Sequence, residues 1–300
     1  ARSHREGDIH IHDLDFLTLT TTCCQIELRK LFKGGFSTGH GVLREPNDIA
    51  SYAALACIAI QSNQNDQHGG QSVCDFDYGL GDGVRKTFRR LYKKHLAEAL
   101  DLLVNLEDSR AAAENLLAHV EEETGTIASL DLDETFAATV ERELSALLAG
   151  GASDAAGAAG ASGASDAVPF LVGRIMAYTL KNATTDTDRA TFQAMEALVH
   201  NLNTMHSRAG AQTPFSSVNY GMDVSPEGRM VIKNMLLATE EGLGSGETPI
   251  FPVQIFRVKE GVNYNPSDPN YDLFKLAMHC SAKRLFPNFS FLDAPFNAQY

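Results

Sequence analysis

Apolar residues recur with the helical period in several stretches of this chain. From Thr87 to Leu106 the positions Phe88, Leu91, Tyr92, His95, Leu96, Ala99, Leu100, Leu103 and Val104 hold that period without a break, which predicts a long amphipathic helix. Residues 47–66 predict another, with Ile49, Tyr52, Ala53, Ala56, Cys57 and Ile60 on one face. A third covers about 186–206, where Asp186 or Asp188 caps the start and Phe192, Met195, Val199 and Leu202 face inward. Residues 226–243 and 271–285 also predict helices. Strand character marks residues 8–28, which are rich in Thr and alternate in polarity, and residues 214–220 and 249–258. Glycines at 34, 35, 39 and 41 mark a loop. Strands alternating with helices over this length predict an α/β architecture, either a barrel or an open sheet.

Residues 149–167 are a low-complexity run of Ala, Gly and Ser that cannot build a core, and they predict a flexible surface insertion inside the domain. Just before it the acidity is concentrated: between Glu107 and Glu143 eleven Asp/Glu face two Arg. The whole chain carries a formal charge of −13, which argues against a general nucleic-acid or membrane surface. No apolar run approaches the roughly 18 residues of a membrane span. The polar start, Ala1 to Asp8, has no secretory h-region, and the missing initiator Met suggests a fragment or a processed start. Five cysteines, at 23, 24, 57, 74 and 280, match neither a disulfide framework nor a CxxC zinc pair. A reducing cytoplasm is the expected compartment.

Chemistry could reside in three places. His10-Ile-His12 on a strand points both imidazoles to one face, which suits metal ligands or hydrogen-bonded structural histidines. Cys23 and Cys24 point to opposite faces of a strand, so they cannot both line one pocket. Cys57 lies on an apolar helical face and is expected to be packing. The run Asn201 to Tyr220 is polar where the pattern otherwise indicates core, so its side chains must satisfy one another or a polar ligand. Gly242-Leu-Gly-Ser-Gly246 lacks the Lys and the preceding strand of a phosphate loop and is expected to be a turn.

Several longer motifs occur together. They are His12-Asp-Leu-Asp15 followed by a strand ending in Cys, Gly34-Gly-Phe-Ser-Thr-Gly-His-Gly41, Asn65-Asp-Gln-His-Gly-Gly-Gln-Ser72 and Gln193-Ala-Met-Glu-Ala197. Asn203-Thr-Met-His-Ser-Arg-Ala-Gly-Ala-Gln-Thr-Pro-Phe-Ser-Ser217, Ile250-Phe-Pro252 and Asp268-Pro-Asn-Tyr-Asp-Leu273 follow. In this order the set is similar to the anaerobic, glycyl-radical class of ribonucleotide reductases over residues 5–90 and 186–300, but not over 106–170. The resemblance implies a ten-stranded α/β barrel of two five-stranded halves around a finger loop. Residues 1–300 would be one partial catalytic barrel domain, with a variable acidic and low-complexity insertion at about 106–170.

The resemblance also implies radical reduction of ribonucleoside triphosphates to 2′-deoxyribonucleoside triphosphates. A finger-loop thiyl radical removes the ribose 3′ hydrogen and the 2′ hydroxyl leaves as water, while a second cysteine on the first barrel strand supplies a hydrogen or proton. Matching Ile26-Glu27-Leu28 puts that second cysteine at Cys23, with Cys24 as the alternative. Further implied substrate contacts are His10, His12, His68, Gln71, Ser216, Ser217 and Asn219, with no metal in this segment. The finger-loop cysteine is expected in a Met-Gly-Cys-Arg-like motif beyond Tyr300. The radical glycine and a structural zinc are likewise expected outside this chain. Implied partners are an iron–sulfur S-adenosylmethionine activase, dNTP or ATP effectors and a second copy in a homodimer. Two rivals stand beside this reading. A metal-dependent hydrolase built on His10 and His12 is separable by metal analysis. A non-catalytic nucleotide-binding or dimerisation module is separable by the sequence beyond Tyr300.

Overall fold

The computed structural model describes residues 2–6, 23–67, 69–106, 108–155, 164–206 and 211–297. His10, His12, His68 and residues 156–163 of the low-complexity run lie outside the described residues. The chain divides into two compact units. One comprises residues 1–46, 50–81 and 192–300, and the other residues 47–49 and 82–191.

The first unit is a mixed α/β structure. After the short helix α1 (Arg2–Glu6), strand β1 (Cys24–Ile26) leads through α2 (Leu28–Phe32) to an antiparallel hairpin of β2 (Phe36–Ser37) and β3 (Val42–Leu43). Helix α3 (Ile49–Asp66) and β4 (Gln71–Val73) follow, then α4 (Phe76–Val104). Strand β5 (Ser216–Tyr220), α8 (Pro226–Glu241), β6 (Val253–Val258), α9 (Tyr271–Arg284) and β7 (Asn288–Phe291) complete the unit. The strands form one sheet in the order β1-β4-β5-β6-β7, and every neighbouring pair is parallel. Parallel neighbours need a crossover: α3 lies between β1 and β4, α8 between β5 and β6, and α9 between β6 and β7.

One face of this sheet is buried. Val73, Val218, Tyr220, Phe256 and Val258 are inaccessible, and Met235, Leu236, Leu273, Ala277 and Cys280 of α8 and α9 are buried with them. Phe256 contacts Tyr220, Phe274 and Phe289 through ring centroids 5.8, 6.1 and 6.0 Å apart. Each such aromatic removed from water stabilises the fold by about 1.5–3 kcal/mol.

The second unit is helical. In it lie residues 82–104 of α4, α5 (Ser109–Thr124), α6 (Glu134–Ala155) and the part of α7 (Ala164–Thr204) before Phe192. The acidic stretch folds into regular helices. Asp108 caps α5 by accepting from the Ala111 N–H at 3.0 Å, and Gly125 ends it in the left-handed conformation (φ +67°). Ala113, Leu116, Leu117 and Val120 share a face, as do Phe136, Val140, Leu144 and Leu148 on α6. They bury against Phe88, Tyr92, Leu96 and Leu100 of α4 and Val172 and Ile175 of α7. The glutamates point away from this core. Arg89 pairs with Glu121, and Arg142 with Glu123.

Candidate functional site

Parallel pairing brings equivalent positions to the same face, and the face alternates along each strand. Cys24, Gln71 and Ser216 form one such row, and Ile26, Val73, Val218 and Gln254 the next of the same parity. This parity belongs to the helix-covered face. Gln71 donates to Gln64 Oε1 on α3 at 3.0 Å, and Gln254 donates to Thr239 Oγ1 on α8 at 2.7 Å. Rows of the opposite parity are Gln25–Ser72–Ser217–Val253, then Asn219–Ile255–Asn288, then Arg257–Ser290. Apart from the exposed Gln25 and Asn288, these are half-buried, so this is the open face of the sheet.

The two adjacent thiols divide between the faces. Cys24 faces the helices: its Sγ accepts a hydrogen bond from Asn63 Nδ2 of α3 at 2.8 Å. Burial pushes its pKa up, the Asn63 bond opposes this, and the neighbouring Cys23 adds to the rise. Cys23, one residue ahead of β1, is exposed and has the parity of Gln25. Ser217 and Asn219 share its face. Gln71 and Ser216, expected as substrate contacts, lie instead on the helix side. Gln71 is satisfied by Asn63 and Gln64, and the Ser216 hydroxyl donates to Pro214 O at 3.2 Å. A slip of one position in the alternation is enough to separate Ser216 from Ser217.

The sequence reading overlooked two groups on the open face. Cys74 follows β4 with the parity of Ser72 and contacts its hydroxyl at 3.9 Å. Arg257, a charge within the apolar run Val253–Val258, reaches Asp75 at 2.7 Å. Asn219 Oδ1 and Arg257 Nε are buried and have no hydrogen-bond partner among the described residues. Buried polar atoms are ordinarily paired, so two orphans on one face suit a polar ligand. The odd polarity of residue 257 was the signal available in the sequence.

The carboxyl ends of the strands, where open α/β sheets bind ligands, are tied together. Asp77 Oδ2 accepts from the backbone N–H groups of Gly221, Met222 and Asp223 at 2.9, 2.9 and 3.0 Å. Burial raises the pKa of this carboxyl, while the three N–H donors and Arg257 oppose the rise. Tyr78 donates to Met222 O at 3.1 Å, and Asn263 donates to Gly221 O and Arg257 O at 2.9 and 2.8 Å. Asn270 donates to Asp223 O at 2.9 Å, which gives the Asp268–Leu273 motif a structural role. Gly221, with φ +113°, turns the chain where a Cβ would meet Arg257 O at 2.9 Å. Beside these ties a cavity of about 510 Å³ is lined by Gln25, Cys74, Asp75 and Tyr78 among others. At the other end of the sheet Asn203 accepts from the Ile250 and Phe251 N–H groups at 2.8 and 3.0 Å, which joins the Asn203 and Ile250-Phe-Pro motifs.

Among the described residues one group has metal-ligand geometry: His119, Glu123 and Glu143, in the helical unit. Arg142 already pairs with both of these carboxylates. No helix among the described residues is long and apolar enough to cross a membrane.

Residues 1–300 match the family model described as anaerobic ribonucleoside-triphosphate reductase. Proteins of that name from Enterobacteria phage T4, Haemophilus influenzae and Escherichia coli are 26%, 25% and 24% identical to the chain, each over 96% of its length. The chain spans 35% of the phage protein and 30% of each bacterial one.

Proposed function

The chain belongs to the anaerobic ribonucleoside-triphosphate reductase family, and we propose that its open sheet face is one wall of a site that reduces ribonucleoside triphosphates to 2′-deoxyribonucleoside triphosphates. The observation that carries this reading is the parity of β1. Cys24 is turned to the helices and hydrogen-bonded there, which leaves Cys23 on the side of Ser217 and Asn219. On this reading the five-stranded sheet is half of a ten-stranded barrel. Cys23 holds a transferable hydrogen at Sγ, while Ser217 and Asn219 offer hydroxyl and amide groups to the sugar. Gln71 acts from behind the sheet. Arg257 and the orphaned Asn219 Oδ1 supply a donor and an acceptor to the same polar ligand.

The radical chemistry comes from a glycyl radical elsewhere in the protein, installed by an iron–sulfur S-adenosylmethionine activase. A structural zinc, dNTP or ATP effectors, a homodimer and a cytoplasmic setting complete the proposal for the whole protein. The test is a pair of variants in the full-length enzyme. Cys23→Ser replaces a weak S–H bond with a strong O–H bond, so turnover should fall by roughly 10²–10⁴-fold while glycyl-radical content and nucleotide binding persist. Cys24→Ser should retain turnover. The reverse result would make Cys24 the reacting thiol, and two fully active variants would remove this strand from the chemistry.

A further inference from the structure

Strand β1 is three residues long and, among the described residues, lies at an edge of its sheet, so few backbone bonds hold it. The Cys24 N–H to Gly70 O bond at its start measures 3.3 Å. Ile26 and the buried Leu28 set the parity, because a shift of one residue would bury Gln25 and Glu27. Parity alone does not fix the position of the Cys23–Cys24 peptide. Nor does close packing, since a cavity of about 800 Å³ adjoins Cys24 and Asn63. What does hold it is a chain of side-chain amides. Asn63 Nδ2 uses both hydrogens, one on Cys24 Sγ and one on Gln71 Oε1, each at 2.8 Å. Gln71 passes the connection to Gln64 at 3.0 Å. Gln64 and Gln71 are 1% and 3% exposed, so the ladder is anchored in the body of the unit. Buried amide networks that are fully paired rigidify what they join.

We infer that Asn63, with Gln71 and Gln64, is a positioning device that grips Cys24 and thereby aims Cys23 at the open face. The inference rests on the proposed role of Cys23, and it assigns the neighbouring thiol a purpose: Cys24 is the handle and Cys23 the reacting group. Asn63 acts from the helix-covered side of the sheet, where its partners are Cys24 and Gln71.

The test uses the full-length reductase and reads two quantities. Iodoacetamide alkylation of the two thiols, resolved by tandem mass spectrometry, should modify Cys23 faster than Cys24 in the wild type. In Asn63→Leu that ratio should shrink by about fivefold or more as Cys24 is released, and kcat should fall by about tenfold with KM for the nucleotide little changed. Cys24→Ala, which deletes the acceptor, should show the same kcat loss, and Cys24→Ser, whose hydroxyl restores the acceptor, should recover it. An unchanged alkylation ratio in Asn63→Leu overturns the inference, as does equal turnover of the Ala and Ser variants. Should Asn63→Leu not fold, the Cys24 pair decides alone. If instead Cys23→Ser turns over normally, the proposed role of Cys23 fails, while the alkylation ratio still reports whether the grip exists.

Discussion

Residue chemistry here is decided by which way a side chain faces. Ser217 and Asn219 lie on the open face, whereas Gln71 and Ser216, equally polar, lie beneath the sheet. Residue type and motif were legible in the sequence; parity was not, because it depends on register with strands distant in the chain. The thiols divide similarly. Cys57 was expected to be packing, and it is buried, with burial pushing its pKa up to about 12 against an Asn201 hydrogen bond. Cys280 is buried as well, and burial followed by Glu240 raises it to about 11. Both thiols hold their protons in the folded state above the pH at which the unfolded chain releases them. The stability they contribute is complete below about pH 9 and is lost as pH climbs through the folded values. Melting temperature should therefore decline between about pH 9 and about pH 12, and Cys57→Ala should flatten that decline. Identical slopes for wild type and variant would show that Cys57 does not retain its proton.

At the scale of elements, apolar periodicity located α3, α8 and α9 to within a few residues, since each has one buried face and a clear end. It placed the start of α4 eleven residues late and that of α7 about twenty-two late. The early turns of α4 carry Gly79, Gly81 and Gly83, which obscure the pattern, and α7 starts in the Ala/Ser-rich run. Helices α5 and α6 were hidden by their charge, although their apolar spacing is regular. The short strands β4 and β7 carry no periodic signal and owe their existence to pairing with longer neighbours. The tie between elements at the carboxyl end of the sheet was invisible too, because Asp77 meets residues 221–223 only in the fold. Asp77 also accepts from its neighbour Tyr78 N–H at 3.1 Å, so both carboxylate oxygens are used. Asparagine at this position would turn an NH2 toward an N–H donor on one side. Asp77→Asn should cost about 1–3 kcal/mol in urea unfolding, and Asp77→Ala more, because three N–H groups, those of Gly221 and Asp223 buried, then lose their acceptor. A neutral Asp77→Ala would mean that water replaces the carboxylate and that the loop is not held from below.

For the whole molecule the open question is what the sheet pairs with. A parallel sheet with one face against helices and the other half-exposed and polar is unusual, since parallel sheets are normally covered on both sides. Among the described residues its edges are β1 and β7, whose outer sides carry backbone groups that another strand could pair. Neither edge carries a proline within the strand. Lys and Pro, the common guards against edge-to-edge association, are likewise missing from Cys24–Ile26 and Asn288–Phe291. In a ten-stranded barrel both edges and the polar face are enclosed. Residues 1–300 expressed alone should then associate through these edges, giving poorly soluble or aggregated material. In the full-length protein the amides of β1 and β7 should exchange slowly, as interior strands do. Size-exclusion chromatography with light scattering checks the first expectation and hydrogen exchange the second. A monodisperse, cooperatively melting monomer of residues 1–300, together with fast-exchanging β1 and β7 amides in the full-length protein, would leave the five strands as an open sheet and rule out closure into a barrel.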